Sequence, residues 1–163
     1  MGQLTLYLDL NLYCRPFNDQ TQLRMSREAR AVDIILDEAR NQRYTIYWSY
    51  VLHVENSLNQ NLVERQIVIR QSTSSCFCSI IPADDIRRLA DQIQTLSSIS
   101  RYDAEHIACA ERAGCDYLLT GDDRLLRRFN RLKVQRVLPL RVVLQNPVDF
   151  LETQLEKEKS HER

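Results

Sequence analysis

The sequence predicts an α/β fold built on a central, mainly parallel β-sheet, and three observations carry that expectation. Short apolar runs alternate with amphipathic stretches along the chain, the pattern of repeated strand-helix-strand units. The first run, residues 4–10, is apolar almost without interruption, as a strand buried on both faces requires. With 163 residues, 44% of them hydrophobic, the chain has material for one core and not two.

Each element follows in order. After the strand at 4–10 comes a loop holding Pro16, Asn18 and Asp19. Over 26–40, Ala29, Val32, Leu36 and Ala39 recur at helical spacing, with Arg27, Arg30, Asp33 and Asp37 on the opposite side. Residues 44–48 form a second strand, and Ser49 stands where its hydroxyl can cap a helix carrying Val51, Val54, Glu55 and Leu58. A further helix covers 62–71, and the run 72–75, which includes three serines, breaks it. A third strand at 77–81 leads to Pro82, Asp84 and Asp85, residues favoured at a helix start, and to a helix reaching residue 96. The helix at 101–113 is closed by Gly114. A fourth strand at 117–120, a short helix at 122–130 and a fifth strand at 133–137 come next, with 142–144 as a candidate extension of the sheet. Asn146 caps a terminal helix beginning at Pro147. The domain is expected to span 1–151, leaving 152–163 as a mixed-charge, frayed tail.

Several classes are excluded on composition. No apolar stretch approaches the ~20 residues that cross a bilayer, and no basic segment leads into an apolar one at the N-terminus, so a cytoplasmic protein without membrane contact is expected. Five cysteines, an odd count, argue for free thiols, and their spacing does not suit structural zinc. Basic and acidic residues number 22 each, so attraction to nucleic acid must come from local patches.

Acids stand in unusual places. Asp9 interrupts the first strand near its C-terminal end, where burial is costly without a partner or a cation. In an open parallel sheet that end is where ligands bind. The alternative is that the strand stops earlier and Asp9 begins a turn with Asn11. Asp122 and Asp123 follow the fourth strand, although an acid there also makes an ordinary helix cap. Asp103 shares a helix face with His106, Ile107 and Ala110, and Glu55 shares a stripe with Val51, Leu52 and Leu58. Four acids from four elements would repel one another if they converged without counter-charge, so together they point to a metal site for Mg²⁺ or Mn²⁺. Such a site activates water and clamps phosphate. His106 reads as readily as a hydrogen-bonded packing residue as a general base, and it is not counted in the catalytic set. The stretch 124–148 holds no acid but seven cations. Of these, Arg124, Arg127, Arg128 and Arg131 follow Asp122 closely enough to hold RNA phosphates, unless they form only a solvated face.

Leu8-Asp9-Leu10-Asn11, the Ser49 to Glu55 segment, Asp103-Ala104-Glu105-His106-Ile107-Ala108, the 116–122 run and Gln145-Asn146-Pro147 succeed one another in an order that resembles the PIN-domain nucleases. That family includes the VapC-type toxins of bacterial toxin and antitoxin pairs. The resemblance covers nearly the whole chain. It implies a three-layer α/β/α sandwich and metal-dependent cleavage of RNA, with Asp9, Glu55, Asp103 and Asp122 as the acidic pocket and Asp9, Asp103 and Asp122 as metal ligands. Asp122 is preferred to Asp123 because the Thr-x-Asp spacing falls on it. Asn11, Ser49 and Thr120 become supporting polar groups, and an antitoxin and a homodimer become the expected partners. Rival expectations are a noncatalytic RNA- or protein-binding module of the same fold and a phosphatase of the haloacid dehalogenase type. The latter's second opening acid is absent, because Asn11 stands there.

Overall fold

The computed structural model describes residues 2–161. Five strands, β1 (Leu4–Leu8), β2 (Tyr44–Ser49), β3 (Cys76–Ile80), β4 (Tyr117–Leu119) and β5 (Val143–Gln145), form one sheet in the order β3-β2-β1-β4-β5. Every neighbouring pair is parallel. The helices are α1 (Leu10–Tyr13), α2 (Leu23–Arg40), α3 (Tyr50–Ser57), α4 (Leu62–Ser75), α5 (Asp84–Leu96), α6 (Arg101–Arg112), α7 (Asp123–Gln135) and α8 (Pro147–His161). They cover the sheet as a three-layer α/β/α sandwich, as expected. Against α2 lie α4 and α8; α5 and α6 pack on each other, and α6 crosses β2 and β4. No helix among the described residues is long and apolar enough to cross a membrane.

The central strand explains the layering. Leu6, Tyr7 and Leu8 of β1 are wholly buried, which only helices on both faces can achieve. The chain adds β2 and β3 on one side of β1, then returns to add β4 and β5 on the other. The strand order therefore reverses between β1 and β4, and the crevice at the carboxyl ends of those two strands is where such sheets take ligands.

Four local expectations are corrected. β1 ends at Leu8: the Asp9 amide donates to the Leu119 carbonyl at 2.9 Å, and the chain then turns into α1. The strand expected at 133–137 does not form, because α7 runs on to Gln135. Its buried Leu125, Phe129 and Leu132 keep the helical spacing, which outweighs the local preference of Val134, and Arg136 ends the helix in the left-handed region at φ 53°. The fifth strand is instead Val143–Gln145. α4 is not broken at 72–75, since the Ser72 and Thr73 hydroxyls donate to the Ile69 carbonyl at 2.8 and 2.9 Å and so lie along the helix. Finally, 152–161, expected as a tail, is helical as part of α8; residues 162 and 163 lie outside the described ones. Phe150 anchors the helix between the rings of Tyr44 and Tyr117, and Glu158 pairs with Arg43. Gly114 closes α6 as expected: at φ 73° it lets the Cys115 amide reach back to the Ala110 carbonyl at 2.9 Å.

Candidate metal centre

Asp9 sits at the β1/β4 crevice with 6% of its surface exposed. Its Oδ2 accepts from the Thr120 hydroxyl at 2.8 Å and from Asn11 Nδ2 at 2.9 Å. Thr120 is wholly buried directly after β4, while Asn11 lies in the first turn of α1 and also accepts the Gly121 amide at 3.2 Å. The register of β1 with β4 brings these groups together, because Leu8 pairs with Leu119 and the next residues leave the sheet side by side. One oxygen of Asp9 is thus held by two donors. The other, Oδ1, faces His106 Nε2 at 4.0 Å.

His106 lies on the buried face of α6, and its Nε2 is 2.7 Å from Glu55 Oε2 in α3. On the far side of the ring, Nδ1 meets the Tyr7 hydroxyl at 2.6 Å, which in turn meets Ser49 Oγ at 2.6 Å. Ser49 Oγ also accepts the Leu52 amide at 3.2 Å, so the expected N-cap doubles as the end of a buried hydrogen-bond chain. The order is Ser49, Tyr7, His106, Glu55. Tyr7 packs edge-on against the imidazole, so the ring has little freedom to turn.

The cluster favours holding protons. Burial raises the Asp9 carboxyl above its ordinary range, and the nearby His106 charge and the Thr120 hydrogen bond offset that only in part. For His106 burial is the largest single influence and acts downward. The hydrogen bond to Glu55 and the charges of Asp9, Glu55 and Asp103 outweigh it, and the net direction is up. Burial also carries the Tyr7 hydroxyl well above its ordinary value, so Tyr7 is a neutral donor and acceptor.

Among the described residues, Asp9, Glu55 and His106 bring ligand atoms within 4.8 Å of one another and could hold a metal ion. The fit is chemical as well as spatial. Two carboxylates and one imidazole suit a divalent first-row cation, Tyr7 fixes the outer nitrogen of the ring, and a positive ion relieves the penalty burial imposes on Asp9. The other expected residues are placed differently. Asp103 adjoins the cluster closely enough for its charge to act on both Asp9 and His106, but its Oδ2 accepts the Ser100 hydroxyl at 2.6 Å and it is not in the three-residue group. Asp122 Oδ1 caps α7 through the Arg124 and Leu125 amides at 2.8 and 3.2 Å, and Asp123 pairs with Arg24. Asn11, Ser49 and Thr120 all contact the site or its hydrogen-bond chain. Arg124 and Arg127 line a groove beside Asn11, whereas Arg128 and Arg131 lie outside its lining.

Sequence reasoning left out His106 and Tyr7. A signal existed for His106, one turn after Asp103 on a face otherwise filled by Ile107 and Ala110, but an apolar face alone does not separate ligand from packing. Nothing in the β1 pattern distinguishes Tyr7 from any buried aromatic. No protein-family model matches the chain and no curated protein matches it, so the resemblance to the PIN-domain nucleases rests on the sequence motifs alone.

Proposed function

We propose that the chain is a metal-dependent endoribonuclease that hydrolyses RNA phosphodiester bonds. One observation carries the reading: Asp9, Glu55 and His106 come from three elements far apart in sequence and meet at the carboxyl end of the sheet, where its strand order reverses. Asp9 and Glu55, with His106 Nε2, would hold the cation, and Asp103 adds negative charge beside them. When bound, Mg²⁺ or Mn²⁺ supplies the charge that activates water and neutralises the phosphate. The carboxylates suit Mg²⁺ or Mn²⁺, and the imidazole makes a first-row cation the better fit of the two.

The protein's own groups do the positioning. Thr120 and Asn11 fix one oxygen of Asp9 and leave Oδ1 facing inward. With the Nδ1 proton donated to the Tyr7 hydroxyl and the Tyr7 proton passed toward Ser49, Nε2 presents its lone pair inward; the opposite tautomer points an N–H at Glu55 instead. Toxin activity, an antitoxin partner and a homodimer belong to this reading through the family resemblance. EDTA should abolish cleavage of single-stranded RNA by the purified protein, and Mn²⁺ or Mg²⁺ should restore it. Asp9→Asn should remain folded and lose activity by orders of magnitude. Equal cleavage by the variant and the wild type would end the reading.

A further inference from the structure

Beside the acidic cluster, and sharing Asn11 with it, lies an open groove of about 450 Å³ into which Arg15, Arg124 and Arg127 face. Arg15 differs from the other two. It comes from a 3-10 turn, Arg15–Phe17, that the sequence marks only as a loop, and its side chain is 14% exposed. Its Nε donates to Glu28, whose side chain is 2% exposed, and its Nη1 donates to Asn18 Oδ1 at 3.1 Å. Among the described residues no acceptor takes a hydrogen bond from Nη2. A cation that is mostly buried and held through Nε and Nη1 keeps Nη2 free to donate to an anion in the groove.

Gly121 is what allows the guanidinium to lie there. A Cβ at that position would stand 2.3 Å from Arg15 Nη2 and 2.8 Å from Glu28 Oε2. The two acids in the groove wall are largely committed elsewhere. Asp123 is bound by two nitrogens of Arg24 at 2.7 and 3.0 Å, and Asp122 gives Oδ1 to the first amides of α7. Those amides are therefore taken, and any anion in the groove must be held by the arginines. Arg124 and Arg127 make no salt bridge among the described residues.

We propose that this groove is a phosphate-binding subsite in which Arg15 is the fixed anchor and Arg124 and Arg127 the exposed partners. The proposal rests on the nuclease reading for its ligand: a backbone phosphate of the RNA next to the one at the metal. A cluster of carboxylates repels a polyanion, and a rigid guanidinium across Asn11 from Asp9 both offsets that repulsion and sets where the chain lies relative to Asp9.

Inorganic phosphate, titrated into the metal-free protein in EDTA at low salt, tests the subsite without chemistry. Saturable shifts are expected at the Arg15 Nε–H and Gly121 amide resonances in NMR spectra. Arg15→Lys, which keeps the charge but loses the fork, and Arg127→Ala, which leaves Glu28 undisturbed, should each weaken phosphate binding roughly tenfold, the worth of one hydrogen bond to a charged group. Gly121→Ala should do the same while changing no charge. Mn²⁺ affinity should stay at the wild-type value in Arg127→Ala. Equal phosphate affinity in the wild type, Arg127→Ala and Gly121→Ala, or shifts confined to another surface, would overturn the proposal. Phosphate binding of the expected kind without metal-dependent cleavage would remove the nuclease reading and leave the subsite. Cleavage that needs Asp9, combined with phosphate binding indifferent to Arg15, Arg127 and Gly121, would do the reverse.

Discussion

Tyr7 holds the outer nitrogen of His106, and a buried hydroxyl in that position has measurable consequences. Tyr7→Phe keeps the ring packing but leaves His106 Nδ1 without its partner, a loss of ~1–3 kcal/mol for an unsatisfied buried group. Because the outer partner of a histidine ligand sets its orientation, Mn²⁺ affinity should fall ~10–100-fold. Calorimetric titration would show it, and unchanged affinity would reduce Tyr7 to packing. The pH dependence follows from the same cluster. The folded-state values of Asp9 and His106 are both raised, so the folded protein binds more protons than the unfolded chain as these groups titrate. The His106 contribution is fully present below its unfolded value of ~6.5 and is lost as pH climbs through the raised folded value; Asp9 acts with the same sign from ~3.9 upward. The Tm of the metal-free protein should therefore decline as pH rises above the unfolded histidine value of ~6.5, and saturating Mn²⁺ should flatten the decline by replacing the proton. A metal-free Tm that rises over this range would contradict the arrangement.

At the scale of elements, Glu28 ties together pieces that hold the site in shape. From α2 it accepts Arg15, Arg24 at 2.9 Å and Asn146 Nδ2 at 2.9 Å, thereby joining the 3-10 turn to the residue that caps α8. Arg24 continues the link to the Gly121 carbonyl at 2.8 Å and to Asp123. Burial alone would raise the Glu28 carboxyl, but the hydrogen bonds from Arg24, Asn146 and Arg15 outweigh it and keep it below its ordinary range. Glu28→Gln should cost about 2–4 kcal/mol, less than a fully buried pair because Arg24 is half exposed, and lower Tm by several degrees. A Tm within a degree of wild type would show the network to be dispensable. None of this was legible in the sequence, where Glu28 looks like one more charged residue on an amphipathic helix. What could be read was local and repetitive: the apolar runs that became β1, β2 and β4, the Ser49 cap, the Gly114 stop and the odd placement of Asp9 and Glu55. What could not be read depended on pairings over long sequence separations. The 133–137 segment is the instructive failure, since Val134 and Val137 favour a strand locally while Leu125, Phe129 and Leu132 just before it bind α7 to the core and carry the helix on to Gln135.

Over the whole molecule the formal charge is zero, and the distribution of that charge decides how a polyanion could approach. The seven cations between Arg124 and Arg141 appear as one basic block in the sequence, and the fold divides them. Arg124 and Arg127 line the groove beside Asn11. Lys133 turns its ammonium to the Val142 carbonyl, Arg141 approaches Glu111, and Arg136 ends α7. Arg136 thus lies 12 positions beyond Arg124, about 18 Å along the helix at 1.5 Å per residue. This distance exceeds a Debye length in ordinary buffer, so the two ends of α7 act separately on a bound strand. Arg127→Ala should therefore lower the salt dependence of single-stranded RNA binding by ~0.7 in the logarithmic slope, the amount lost with one phosphate contact. Arg136→Ala should leave the slope unchanged, although both substitutions remove one positive charge. Fluorescence anisotropy with a catalytically silent Asp9→Asn background would make the comparison without cleavage. Equal slopes for the two variants would mean that RNA responds to the overall charge of α7 and not to the groove at its start, and a larger loss with Arg136→Ala would move the RNA track to the far end of the helix.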